Sequence, residues 1–205
     1  MNRAWRLAVL SPLVLAVVMI SSGSSELHQA DASALSNSTA AASVIGTVAV
    51  PTPSPTARVM RRSIPVRLSI PSIGLVSRLM KLGLQKDGSL QVPPSGFPAG
   101  WYTGSPTPGQ LGPAVIAGHI DWKGPGVFYH LKLIEIGDQI NIDRADGTTA
   151  KFVVTKIASF LKSKFPTSAV YGNLTYPGLR LITCGDYDFT LHKYVRDLVV
   201  FAALV

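Results

Sequence analysis

With 205 residues, 47% of them hydrophobic and 15% charged, the chain has enough apolar material for one domain with a core but too little length for two. The formal charge of +8 is dispersed: from Ser63 onward there are 14 Lys/Arg against 9 Asp/Glu. No stretch interleaves basic and aromatic residues as a nucleic-acid platform does, so a soluble basic surface is expected and no nucleic-acid partner.

The N-terminus reads MNRAWR, followed by an apolar run from Leu7 to Ile20 interrupted only by Ser11 and Pro12, and then SSGSS. Positive charge, a short apolar stretch and small polar residues make an export signal. Fourteen residues fall short of the roughly 20 that span a bilayer as a helix. Residues 1–22 are therefore read as a cleaved signal peptide or a retained anchor in the cytoplasmic membrane, with Arg3 and Arg6 inside and the remainder outside. Residues 23–62, rich in Ser, Ala, Thr and Pro and ending in PTPSPTAR, read as a flexible stalk.

The folded domain is expected over residues 63–205. Strand-like runs occur in IPVRLSI, around Leu79 to Leu84, at LQV, and in PAVIAGH, DQINIDR, TAKFVVTKIASF, LRLITC and VRDLVVFAAL. Turn residues separate them, and sustained helical periodicity is scarce; VFYHL and SAVYG are candidates for short helices. About eight short strands in some 140 residues predict an all-β barrel or sandwich.

Two of these runs end at reactive side chains. GPAVIAGH places His119 at the start of a Gly-rich loop, and LRLITCGDYD places Cys184 just before a turn. Strand ends entering loops are where a rigid scaffold presents catalytic groups. Cys184 is the only cysteine, so it forms no intramolecular disulfide, and it is either a small buried hydrophobe or a reactive thiol. Arg196 lies in the next apolar run, far enough along for a neighbouring antiparallel strand to bring its guanidinium beside the thiol.

A free thiol is only a few per cent ionised at neutral pH, and cationic neighbours raise that fraction. An imidazolium can protonate a leaving amine, and a guanidinium can stabilise a tetrahedral oxyanion. His192, eight residues beyond Cys184, rivals His119 on pattern alone, whereas His28 lies in the stalk and His130 in VFYHLKL. Asp121 and Asp186 read as turn residues. A zinc site on Cys184, His119 and His192 has suitable donors, but no CxxC, HxH or HExxH spacing supports it. No cofactor or metal is expected.

The ordered segments AGHID, GPGVFY, GDQINIDRADG, LRLITCGDYD and VRDLVVFA together resemble the sortase family of cysteine transpeptidases, in particular the actinobacterial class F and class E sortases. The likeness runs over roughly Ile64 to Val205. It implies an eight-stranded sortase barrel with one or two short helices and a catalytic set of His119, Cys184 and Arg196, and so selects His119 over His192. It further implies cleavage of an LPxTG-like C-terminal sorting motif of exported proteins through a thioacyl enzyme. The acyl group then passes to an amine such as that of a peptidoglycan precursor, or to water, on the outer face of a Gram-positive membrane. The class F-like segment often reads Tyr-Arg-Asp-Asn, whereas here Tyr194-Val195-Arg196-Asp197-Leu198 carries an extra Val and no Asn, which bears on where Arg196 points. Two other readings remain: a degenerate barrel that binds a wall peptide without cutting it, and a cysteine L,D-transpeptidase. The second would require a Ser-His-Gly-Cys segment that the sequence lacks.

Overall fold

The computed structural model describes residues 58–205; the export signal and most of the stalk lie outside the described residues. Eight strands close into a barrel: β1 (Pro65–Ile70), β2 (Leu75–Leu82), β3 (Ala99–Tyr102), β4 (Gly112–Ala117), β5 (Gln139–Arg144), β6 (Thr149–Leu161), β7 (Pro177–Asp188) and β8 (Lys193–Leu204). Around the barrel the order is β1-β2-β3-β4-β7-β8-β6-β5, with β5 returning to β1. Two neighbouring pairs, β2–β3 and β4–β7, are parallel, and the others are antiparallel. The expected all-β barrel is the fold observed.

Alternation puts Leu68, Ile70, Ile140, Ile142, Phe152, Val154, Leu179, Leu181 and Val200 into the lumen, each fully buried. A second cluster lies outside the barrel wall. There Val115, Ile182, Val199 and Phe201 pack with Val170 of the short helix α1 (Thr167–Tyr171) and with Phe160, Phe165 and Tyr171. Strands β4, β7 and β8 are thus covered on both faces along part of their length. That is why GPAVIA is apolar throughout and every residue of LRLIT, Arg180 included, is buried.

The strand count matches expectation, but one assignment differs. LQV forms no strand; Leu90 makes only an isolated bridge to Leu84, and Pro93 and Pro94, lacking amide hydrogens, cannot donate to a ladder just beyond it. The eighth strand is instead β3, the short segment AGWY, which pairs in parallel with β2. Its composition is dictated by close approach: a Cβ on Gly100 would run into the Leu82 side chain. The expected helix at SAVYG is α1, while VFYHL gives turns leading into a 3-10 turn at Leu131–Leu133.

Candidate active site

His119 and Cys184 are brought together by the parallel β4–β7 pair. The register runs to Ala117↔Ile182, and the Gly118 amide donates to the Ile182 carbonyl at 3.1 Å. Extending that register by two residues brings His119 level with Cys184. Both side chains line one groove of about 780 Å³, together with Leu84, Leu90 and Val92 from the β2–β3 connection and Phe165, Thr167 and Tyr171 around α1. Its walls are mainly apolar, and Leu84 and Val92 are each about half exposed along it.

The His119 loop is held from several directions. Nε2 lies 2.7 Å from the Pro93 carbonyl, and because a carbonyl only accepts, Nε2 carries the proton in this arrangement. The ring packs on Trp122 with centroids 4.9 Å apart. The His119 carbonyl accepts from the Phe128 amide at 2.8 Å, and the Gly126 amide donates to Ile120 at 3.0 Å. Gly126 passes so close that a Cβ there would lie 2.5 Å from the His119 oxygen.

Cys184 is half-buried, and burial is the largest influence on its thiol, pushing it above the ordinary range. Lys162, just beyond the end of β6, is the main opposing influence. Its Nζ lies 3.8 Å from Sγ and is ion-paired with Asp197. The carboxylates of Asp197 and Asp121 push the thiol further up. The sulfur is therefore mostly a protonated thiol at neutral pH, not the standing thiolate that a purely cationic setting would give.

The expected apposition of Arg196 and Cys184 is not seen, and the reason is strand geometry. In the β7–β8 ladder Cys184 stands opposite Asp197, and Gly185 opposite Arg196. Opposed residues share a face and successive ones alternate, so Asp197 and Val195 lie on the thiol's side and Arg196 on the other. The Arg196 guanidinium donates to Ser159 Oγ and to the Ser159 carbonyl, both at 3.0 Å, and pairs with Asp186 at 3.3 Å.

Asp121 and Asp186, read as turn residues, both make longer-range contacts. Tyr194 donates its phenolic proton to Asp121 Oδ2 at 2.6 Å, tying the His119 loop to β8. Partial burial and the Asp121 carboxylate push the Tyr194 phenol up to about 12. Asp186 adopts a positive φ of 47° directly after Gly185, a conformation Asp tolerates better than most residues. His192, also at positive φ, sits in the exposed β7–β8 turn, and His130 is exposed beside Tyr129.

Cys184 lies inside β7, which runs on through Gly185 to Asp188 and does not turn there as the sequence suggested. A half-buried thiol and a histidine opening into one groove, where the parallel β4–β7 pairing stops, is the arrangement of a cysteine peptidase or transferase. Comparison decides the family, for the sortase domain model matches residues 68–205. The chain belongs to the sortase family. It is accordingly a cysteine transpeptidase of the sortase type.

Solved sortases share the fold. Sortase A from Corynebacterium diphtheriae, as a lid mutant, superposes with a TM-score of 0.56 at 24% identity, covering 71% of this chain and 72% of that one. Sortase C1 from Streptococcus agalactiae, in complex with MTSET, gives 0.54 at 19% identity over 68% and 66%. Sortase C2 of Group B Streptococcus pilus island 1 gives 0.55 at 19% over 71% and 76%. A search among curated proteins gave no match.

Proposed function

We propose that this sortase cleaves an LPxTG-like C-terminal sorting motif of exported proteins and transfers the acyl portion to an amine of the cell wall, or to water. Cys184 is the nucleophile and His119 the proton carrier. The observation that carries this reading is that these two side chains open into the same groove, lined mainly by apolar residues.

The Cys184 thiol gives its proton to the His119 imidazole, and the resulting thiolate attacks the scissile carbonyl carbon, forming a C–S bond and a tetrahedral oxyanion. Collapse of the oxyanion breaks the C–N bond, and the leaving amine takes a proton from the His119 imidazolium. An incoming amine or water then attacks the thioester, gives a proton to His119, and frees the sulfur. Arg196 enters as oxyanion donor on the family resemblance; to act so, its guanidinium must exchange Ser159 and Asp186 for the substrate. The site would work on the outer face of a Gram-positive membrane, with residues 1–22 supplying the export signal or anchor.

The test is to incubate the protein with a panel of sorting-motif peptides, with and without an amine acceptor, and to follow products by mass spectrometry. Cleavage, and an acyl–amine product when acceptor is present, are expected. Cys184→Ala should abolish both without loss of fold, and His119→Ala should lower kcat/KM by at least about 100-fold. Peptide retained but never cut would favour the binding-module reading. Undiminished cleavage by Cys184→Ala would reject the nucleophile.

A further inference from the structure

We propose that Lys162, and not Arg196, is the cation that serves the Cys184 thiol.

The placement follows from the ladder on the other side of β8. Leu161, the last residue of β6, pairs with Arg196, so Lys162 stands level with Val195. Val195 shares the thiol's side of β8 but carries no charge, and the neighbouring strand fills that position from outside. Lys162 Nζ reaches within 3.8 Å of Sγ, a distance at which an ammonium both donates to sulfur and favours its anion.

Asp197 fixes the ammonium there. It stands directly across the ladder from Cys184, is itself mostly buried, and is ion-paired with Lys162. Lys162, Asp197 and Cys184 line the same groove, whereas Arg196 does not. Beside the His119 imidazole across the groove, the charged groups acting on the sulfur are one cation and two carboxylates, those of Asp197 and Asp121, on a background of burial that favours the neutral thiol. Among these, Lys162 is what draws the thiol back toward ionisation.

No bond forms or breaks at Lys162, and it keeps its proton throughout. Its part is to hold negative charge on sulfur before attack and again when the thioester is released. It touches the reacting atom, and so counts as a catalytic residue.

The inference rests on the transpeptidase reading only in taking Cys184 as the nucleophile; the state of the thiol can be read without any peptide. The full-length chain is labelled with iodoacetamide, a neutral probe, between pH 6 and 10, and the rate is plotted against pH. Lys162→Met and Lys162→Gln should displace the profile to higher pH and slow labelling at pH 7 by about five-fold, a modest figure because the lysine side chain is 42% exposed. Lys162→Arg should restore most of the parent profile. Lys164→Met, in the same 3-10 turn but outside the groove, should leave it in place. Near-UV circular dichroism and urea midpoints identify any variant that has lost its fold.

Profiles of both neutral variants superimposable on the parent would overturn the assignment. So would a larger displacement on Arg196→Gln than on Lys162→Met. A displaced profile in a protein that cuts no sorting-motif peptide would sink the proposed sorting-motif cleavage and leave Lys162 at the sulfur. An active parent with an unmoved profile would sink Lys162 alone.

Discussion

Gly126→Ala adds one methyl group where the chain passes behind His119. The new Cβ would lie 2.5 Å from the His119 carbonyl oxygen and 2.9 Å from its carbon, against backbone and not the end of a flexible side chain. Carbon and oxygen need about 0.5–0.9 Å more than that to reach ordinary contact. Neither partner is free to give way, because the Gly126 amide is bonded to Ile120 and the His119 carbonyl to the Phe128 amide. Overpacking of this kind costs about 1–3 kcal/mol. A displacement approaching 1 Å at a catalytic group can cost on the order of 100-fold in rate. The expected result is a kcat lowered about 10- to 100-fold with KM little changed, and an unfolding free energy from urea titration lowered by the same 1–3 kcal/mol. A folded Gly126→Ala protein whose kcat stays within about two-fold of the parent would refute the claim that the His119 position limits turnover.

Further expectations can be checked on the same protein. Arg196→Ala is expected to lower kcat by more than about ten-fold through the oxyanion contact proposed for it; an unchanged kcat would remove it from the catalytic set. Tyr194→Phe removes the hydrogen bond to Asp121 and should loosen the His119 loop at a cost of about 0.5–1 kcal/mol, read from urea unfolding. The Tyr194 phenol titrates higher in the folded state, at about 12, than its ordinary 10.0. Its share of stability is therefore whole below pH 10 and lost as pH rises toward 12, and Tyr194→Phe should show a smaller loss over that window. Phe152, fully buried in the lumen, should cost about 3–5 kcal/mol when cut to alanine, with thermal melting as the readout.

Much of this was legible in the sequence because it depends on local alternation. The apolar runs mark β1, β4, β5, β6, β7 and β8, and the ends of two of them point to His119 and Cys184. What escaped depends on pairing between distant segments. β3 has only four residues, one a glycine required by Leu82, and so lacks the bulky alternating signature that LQV imitates. Lys162 stands 22 residues before Cys184, and no spacing rule links them; only the β6–β8 and β7–β8 registers do. The side of β8 on which Arg196 lies turns on a single residue. A shift of one residue in the β7–β8 register would put it on the other face, and the sequence alone does not fix that register. The coupling of Asp121 to Tyr194 spans 73 positions and left no mark in either local motif.

The parallel pairing of β4 with β7 has a consequence for how the enzyme comes into being. Gly112 meets Pro177 across about 65 intervening residues, and the ends of so long a loop must be gathered before any contact rewards the lost chain entropy. Folding of such non-local topologies is slow, on the order of milliseconds to seconds. Since that pair sets His119 level with Cys184, an unfolded chain holds its thiol and its imidazole apart until the two strands unite. Activity thus appears together with the finished barrel and not before it.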